Sequence, residues 1–193
     1  MARRRVGLLG GSFNPAHDGH RHVSLWALRA LRLDQVWWLV SPQNPLKSAT
    51  GMAPLAQRMA SAREVARHPS IRVTDIEQRL GTRYTVDTVA ALQRRHRDIN
   101  FVWLMGADIL VQLPRWRRWT DLVDMVPMAV LDRPGYAYPA LAGQAAQYLR
   151  HNRVAKAGKL TSTPPPAWVF LWGRRHGASA TAIRAGEPGR QTL

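Results

Sequence analysis

Cysteine is absent from all 193 residues, which excludes a disulfide framework, a cysteine-ligated zinc site and a thiol nucleophile. No apolar run approaches the ~20 residues that a membrane-spanning helix requires. The basic start MARRRVGLLGG meets glycine too early for a signal peptide, which needs a longer apolar stretch and a cleavage site. A cytoplasmic protein with no membrane partner is expected. Acidic residues are scarce, 12 against 28 Lys and Arg, leaving a formal charge of +16. Such a balance attracts nucleic acid and, equally, anionic small molecules such as nucleotides. The basic residues are scattered along the chain, so the charge does not choose between them. Two common nucleotide loops are missing as well. Gly7, Gly10 and Gly11 do not space as G-x-G-x-x-G, and no Walker lysine follows a glycine loop.

What is present is a globular composition, 46% apolar, in a chain long enough to bury a real core. One domain over residues 1–193 is expected, with 1–4 and about 187–193 as flexible ends. RRVGLLG reads as a buried strand ending at Gly10, and VWWLV (Val36–Val40) as a strand of the kind covered on both faces. IRVTDIE (Ile71–Glu77) alternates and reads as a strand nearer an edge. NFVWLMG (Asn100–Gly106), PMAVLDR (Pro127–Arg133) and WVFLWG (Trp168–Gly173) read as further central strands. Between them lie helical spacings: Val23, Trp26, Ala27, Ala30 and Leu31; then Leu55, Met59, Ala62, Val65 and Ala66 after Pro54; then Val86, Val89, Ala90 and Leu92. YPALAGQAAQYLRHNRV reads as one helix. The alternation predicts an α/β fold, a Rossmann-like doubly wound, mostly parallel sheet with helices on both faces. Trp37, Trp38 and Trp103 are assigned to its core.

The stretch GGSFNPAHDGH places three glycines and a histidine pair where a strand hands over to a helix. In open parallel sheets ligands bind at that point, and free N–H groups of a helix start favour phosphate. His17 and His20, three apart, can face one cavity. As residues alone they allow zinc, phosphate or no ligand. The zinc set is incomplete, so no metal held by protein side chains is expected. His22 points elsewhere and reads as solvated. RWRRW (Arg115–Trp119) allows a stacking platform for a planar ring or for nucleic-acid bases. Asp87 and Asp108 can serve as simple helix-start carboxylates.

GGSFNPAHDGH, with His17, Gly19 and His20, resembles the first signature of the HxGH nucleotidyltransferase superfamily. SATAIR, with Ser179, Thr181, Ile183 and Arg184, resembles its second. SPQNPLKS, RYTVDT and MGADILVQLPRWRRW, in that order, resemble segments of the bacterial nicotinate-nucleotide adenylyltransferases. The likeness runs from Val6 to about Arg184. It departs at Ser12 and Asn14, where threonine and aspartate are usual, at Leu46, where many relatives have histidine, and at GASAT, which opens the second signature differently.

The resemblance implies transfer of the adenylyl group of ATP to nicotinate mononucleotide, with magnesium arriving on the ATP. It implies catalytic roles for His17, His20, Lys47 and Arg184. It implies an ATP site made by Gly10, Gly11, Ser12, Phe13, Gly19, Gly106, Asp108, Ser179, Thr181 and Ile183. Asn44, Tyr84, Thr85 and Trp116 match the nicotinate-nucleotide side. Another adenylyl- or cytidylyltransferase of the superfamily, or a basic nucleic-acid-binding module, stands as the alternative. On the favoured reading nucleic acid is not a partner, and a homo-oligomer stays open.

Overall fold

In the computed structural model, residues 3–42 and 51–173 are described. Six strands form one sheet: β1 (Arg4–Gly11), β2 (Gln35–Val40), β3 (Ile71–Thr74), β4 (Ile99–Gly106), β5 (Met128–Leu131) and β6 (Trp168–Leu171). Their order is β3-β2-β1-β4-β5-β6, and every pairing is parallel. Parallel neighbours need crossovers, which the helices supply while covering both faces. This is the doubly wound arrangement expected from the alternating pattern.

β2 and β4 are the runs QVWWLV and INFVWLMG, whose residues are buried almost throughout because layers pack on both sides. One layer takes in α4 (Thr85–Arg95), α5 (Ala107–Gln112), α6 (Trp119–Met125), α7 (Ala137–Ala142) and α8 (Gln144–Tyr148). The other takes in α1 (Asp18–Ala30) and α2 (Leu55–Ala66). Trp37, Trp38 and Trp103 are buried between these layers.

Four sequence expectations change. The strand expected over Ile71–Glu77 stops at Thr74. Asp75 caps a short helix, α3 (Ile76–Leu80), its carbonyl accepting the Gln78 N–H and its carboxylate pairing with Arg79 at 2.9 Å. Gly81 ends α3 in the left-handed region, φ 63°, where glycine carries no steric penalty. β6 is an edge strand rather than a central one: beyond it, among the described residues, lies a single bridge from Arg153 to Trp168. The helix expected across YPALAGQAAQYLRHNRV is split into α7 and α8 by Gly143, whose backbone is extended. β1 begins at Arg4, as read from RRVGLLG, and runs one residue past the expected Gly10, to Gly11.

Candidate active site

β1 is flanked by β2 on one side and β4 on the other, so the winding reverses at β1. The crevice beyond the carboxyl ends of β1 and β4 is where such sheets bind ligands. Gly10 and Gly11 close β1, and Gly106 closes β4. A Cβ on Gly10 would lie 2.7 Å from the Trp103 ring, so the space freed there is filled by core packing rather than left for a ligand. A Cβ on Gly106 would lie 2.5 Å from Asp108 Oδ1.

His17 caps α1 in an extended conformation, and Gly19 is buried in the first turn. The His17 and His20 rings lie against each other at a tilt of 38°, 3.9 Å between centroids. His20 Nδ1 accepts the His17 backbone N–H at 3.2 Å. Phe13 lies 4.7 Å from the His20 ring and 5.0 Å from Trp38. Behind them, buried Ser24 accepts the Trp38 Nε1–H at 2.7 Å and donates to the His20 carbonyl at 2.8 Å, pinning α1 to β2. Burial first, then the nearby His17 and Arg133, hold the His20 pKa down to about 3. The ring is therefore neutral at pH 7. Its Nδ1 acts as acceptor, so the proton is assigned to Nε2, a neutral donor. His22 is half-buried, 6.5 Å from the Trp26 ring, not solvated as its spacing suggests.

On the β4 side, Asp108 stands in the first turn of α5 and accepts from Arg133 Nη1 at 2.7 Å. Its other oxygen, Oδ1, is buried with no hydrogen-bond partner among the described residues. Arg133 follows β5 and reaches both Asp108 and the field at His20. Arg58 of α2 is buried, and its guanidinium donates to the carbonyls of Ser12, Ser41, Pro42 and Ala53.

Tyr84 caps α4, and Thr85 opens it. The Arg117 and Arg83 guanidinium groups sit 4.7 Å and 5.9 Å from the Tyr84 ring. Trp116 meets Trp103 edge-on at 6.1 Å, and Tyr84 and Trp116 pack against the same core cluster. Asp87, in the first turn of α4, pairs with Arg118 at 3.6 Å. Asn44, Lys47, Ser179, Thr181, Ile183 and Arg184 lie outside the described residues. A cavity of about 530 Å³ opens at the opposite, amino ends of β1, β4 and β5, lined by Arg3, His96, Arg97 and Thr161 among others, and is separate from this crevice.

The sequence pattern missed Arg58 and Arg133. For Arg58 a signal existed: it falls in the helical stripe of Leu55, Met59, Ala62 and Ala66, where an arginine is out of place unless partnered. Arg133, in the turn after a strand, had none beyond its position.

A doubly wound parallel sheet with phosphate-suited histidines and cations at its winding reversal defines a nucleotide-binding α/β protein. The chain belongs to the cytidylyltransferase-like family, whose model matches residues 8–186, and within it to the nicotinate-nucleotide adenylyltransferases. A "probable nicotinate-nucleotide adenylyltransferase" of Parvibaculum lavamentivorans is 57% identical over 193 residues, covering 95% of this chain and 96% of the relative. One of the same description from Gluconobacter oxydans is 55% identical over 182 residues, covering 93% of each. The structure of Plasmodium falciparum nicotinic acid mononucleotide adenylyltransferase complexed with NaAD shares the fold, with a TM-score of 0.67 at 15% identity over 87% of this chain and 74% of that one.

Proposed function

We infer that the protein joins the phosphate of nicotinate mononucleotide to the adenylyl group of ATP, giving nicotinate adenine dinucleotide and pyrophosphate, a step of NAD biosynthesis. Full-length similarity to relatives of that description supports the choice of acceptor. The observation that carries the chemistry is the His17–His20 pair at the winding reversal, with His20 held neutral and its Nε2–H left to donate.

The nucleotide phosphate is itself the nucleophile, its second proton lost near pH ~6. An oxygen of that phosphate forms a bond to the α-phosphorus of ATP while the bond from that phosphorus to the α,β-bridging oxygen breaks. Pyrophosphate takes the electron pair. No protein nucleophile is needed, so the chain's contribution is alignment and charge stabilisation. In this reading His20 donates from Nε2 to an α-phosphate oxygen, where charge grows. His17 and Arg133 add positive potential beside it, and Lys47 and Arg184 hold the polyphosphate. Ser12, Phe13, Gly11 and Gly106 border the ATP, while Tyr84, Thr85, Asn44 and Trp116 hold the nicotinate nucleotide. ATP would arrive as its magnesium complex, the metal supplying positive charge to the polyphosphate. Of the carboxylates at this end of the sheet, Asp108 already has one oxygen bound by Arg133.

His20→Ala tests the assignment. Turnover is expected to fall by ~10²-fold or more, while the affinity for nicotinate mononucleotide, read by intrinsic tryptophan fluorescence, changes less than about threefold. Equal losses in both contradict the role given to His20.

A further inference from the structure

Arg58 is the buried cation that the reaction does not use. It projects from the first turn of α2 and is 3% exposed. Its partners are all main-chain carbonyls: Ala53 from Nε at 2.8 Å, Ser12 and Ser41 from Nη1 at 2.7 and 2.8 Å, and Pro42 from Nη2 at 2.9 Å. Among the described residues, no carboxylate pairs with it. A cation withdrawn from water without a counter-charge is costly, so this arrangement persists only because several charge-assisted hydrogen bonds offset it together.

The carbonyls come from three places: just beyond β1, just beyond β2, and just before α2. Asn14 ties the first and last of these again, donating from Nδ2 to the Gly51 carbonyl at 3.0 Å and accepting the Ala53 N–H at 3.2 Å. The Ser12 contact has a specific consequence. Its carbonyl belongs to the peptide unit that also carries the Phe13 N–H, so holding that oxygen fixes the plane from which Phe13 turns. Phe13 stands at φ 46°, in the left-handed region that a residue with a bulky ring avoids unless its surroundings restrain it. From that conformation its ring covers His20 on one side and stacks on Trp38 on another.

We propose that Arg58 is a positioning residue for His20: by gripping the Ser12 carbonyl against the exits of β1 and β2, it holds Phe13 in its left-handed conformation and the imidazole beneath it in place. The proposal rests on the catalytic reading of His20 above only for its kinetic consequence. Its geometric consequence is separate. Lysine cannot replace the guanidinium here, because a single ammonium on a flexible stem lacks the planar fork that reaches four carbonyls in different directions.

The test compares wild type with Arg58→Lys and with Arg58→Gln, which removes the buried charge but keeps an amide donor. Circular dichroism and thermal melts establish that each is folded. Two readouts follow. In the first, steady-state pyrophosphate release is expected to lose roughly tenfold or more in kcat, with the KM for nicotinate mononucleotide within about twofold of wild type. In the second, the His20 ring is followed by NMR. Loosening of its Phe13 cover admits water, so its titration midpoint is expected to climb from about 3 toward the ordinary histidine range. His17 and Arg133, the charged or titratable groups facing it among the described residues, are unchanged in both variants. A folded variant with unaltered kcat and an unaltered His20 titration overturns the proposal, as does failure of both variants to fold, which assigns Arg58 to the fold alone. Absence of turnover in wild type overturns the catalytic reading instead, and the NMR readout then decides the positioning role by itself.

Discussion

His20 Nδ1 lies 3.2 Å from the backbone nitrogen of His17 and accepts a hydrogen bond from its N–H, so one residue of the signature pair fixes the tautomer of the other. That contact leaves Nε2 as the donor, and burial keeps the ring from taking a second proton. Nitrogen chemical shifts of His20 are expected to show the Nε2–H neutral form throughout about pH 5 to about pH 8 in the free protein. A midpoint near the ordinary histidine value of 6.5 contradicts the buried, hydrogen-bonded arrangement.

Gly10 is glycine because of Trp103. A methyl group there meets the indole ring at 2.7 Å, too close for any real contact, and the ring is locked in the core. Gly10→Ala is expected to cost ~1–3 kcal/mol of stability by overpacking. Trp103→Phe removes the outer part of that ring and a buried Nε1 that has no hydrogen-bond partner among the described residues. In the Gly10→Ala background it is expected to recover part of the loss. Denaturant unfolding of the four proteins in this cycle measures the coupling, and strict additivity contradicts it.

The strands that position the site were legible because β2 and β4 are covered on both faces and so read as unbroken apolar runs. The histidine pair fell at a strand-to-helix handover, where the residues alone left zinc, phosphate and no ligand open, and only the resemblance chose phosphate and added Gly106. α3 escaped because five residues are too few to show a helical period, and IRVTDIE alternates through its start. The edge position of β6 escaped because apolar character reports burial, not neighbours in a sheet. Arg58 and Arg133 were hidden among 28 basic residues, since which cation is buried or aimed inward is decided by tertiary contacts.

Glu77 makes stability depend on pH in a direction opposite to His20. Burial pushes its carboxyl up to about 7, from 4.5, against a weaker downward pull from the Ser41 hydroxyl. Between those values the folded state binds the extra proton, so this contribution to stability is present in acid and is lost as pH rises to 7. For His20 the unfolded state binds the extra proton between about 3 and 6.5, so stability rises with pH there. From 4.5 to 6.5 the two slopes oppose each other. Glu77→Gln removes one of them. The variant is expected to gain stability with pH across that window and to exceed wild type near pH ~8 by up to ~3 kcal/mol. Urea unfolding near pH ~5 and ~8 reads both, and a variant less stable than wild type at the higher pH contradicts the assignment.

The measurement closest to the central claim is pyrophosphate release from magnesium-ATP with each of three acceptors supplied separately: nicotinate mononucleotide, nicotinamide mononucleotide and pantetheine phosphate. The account predicts release with the nicotinate nucleotide at a kcat/KM at least ~10-fold above either other acceptor, with nicotinate adenine dinucleotide as the product. Release with none of the three, or faster release with pantetheine phosphate, contradicts it.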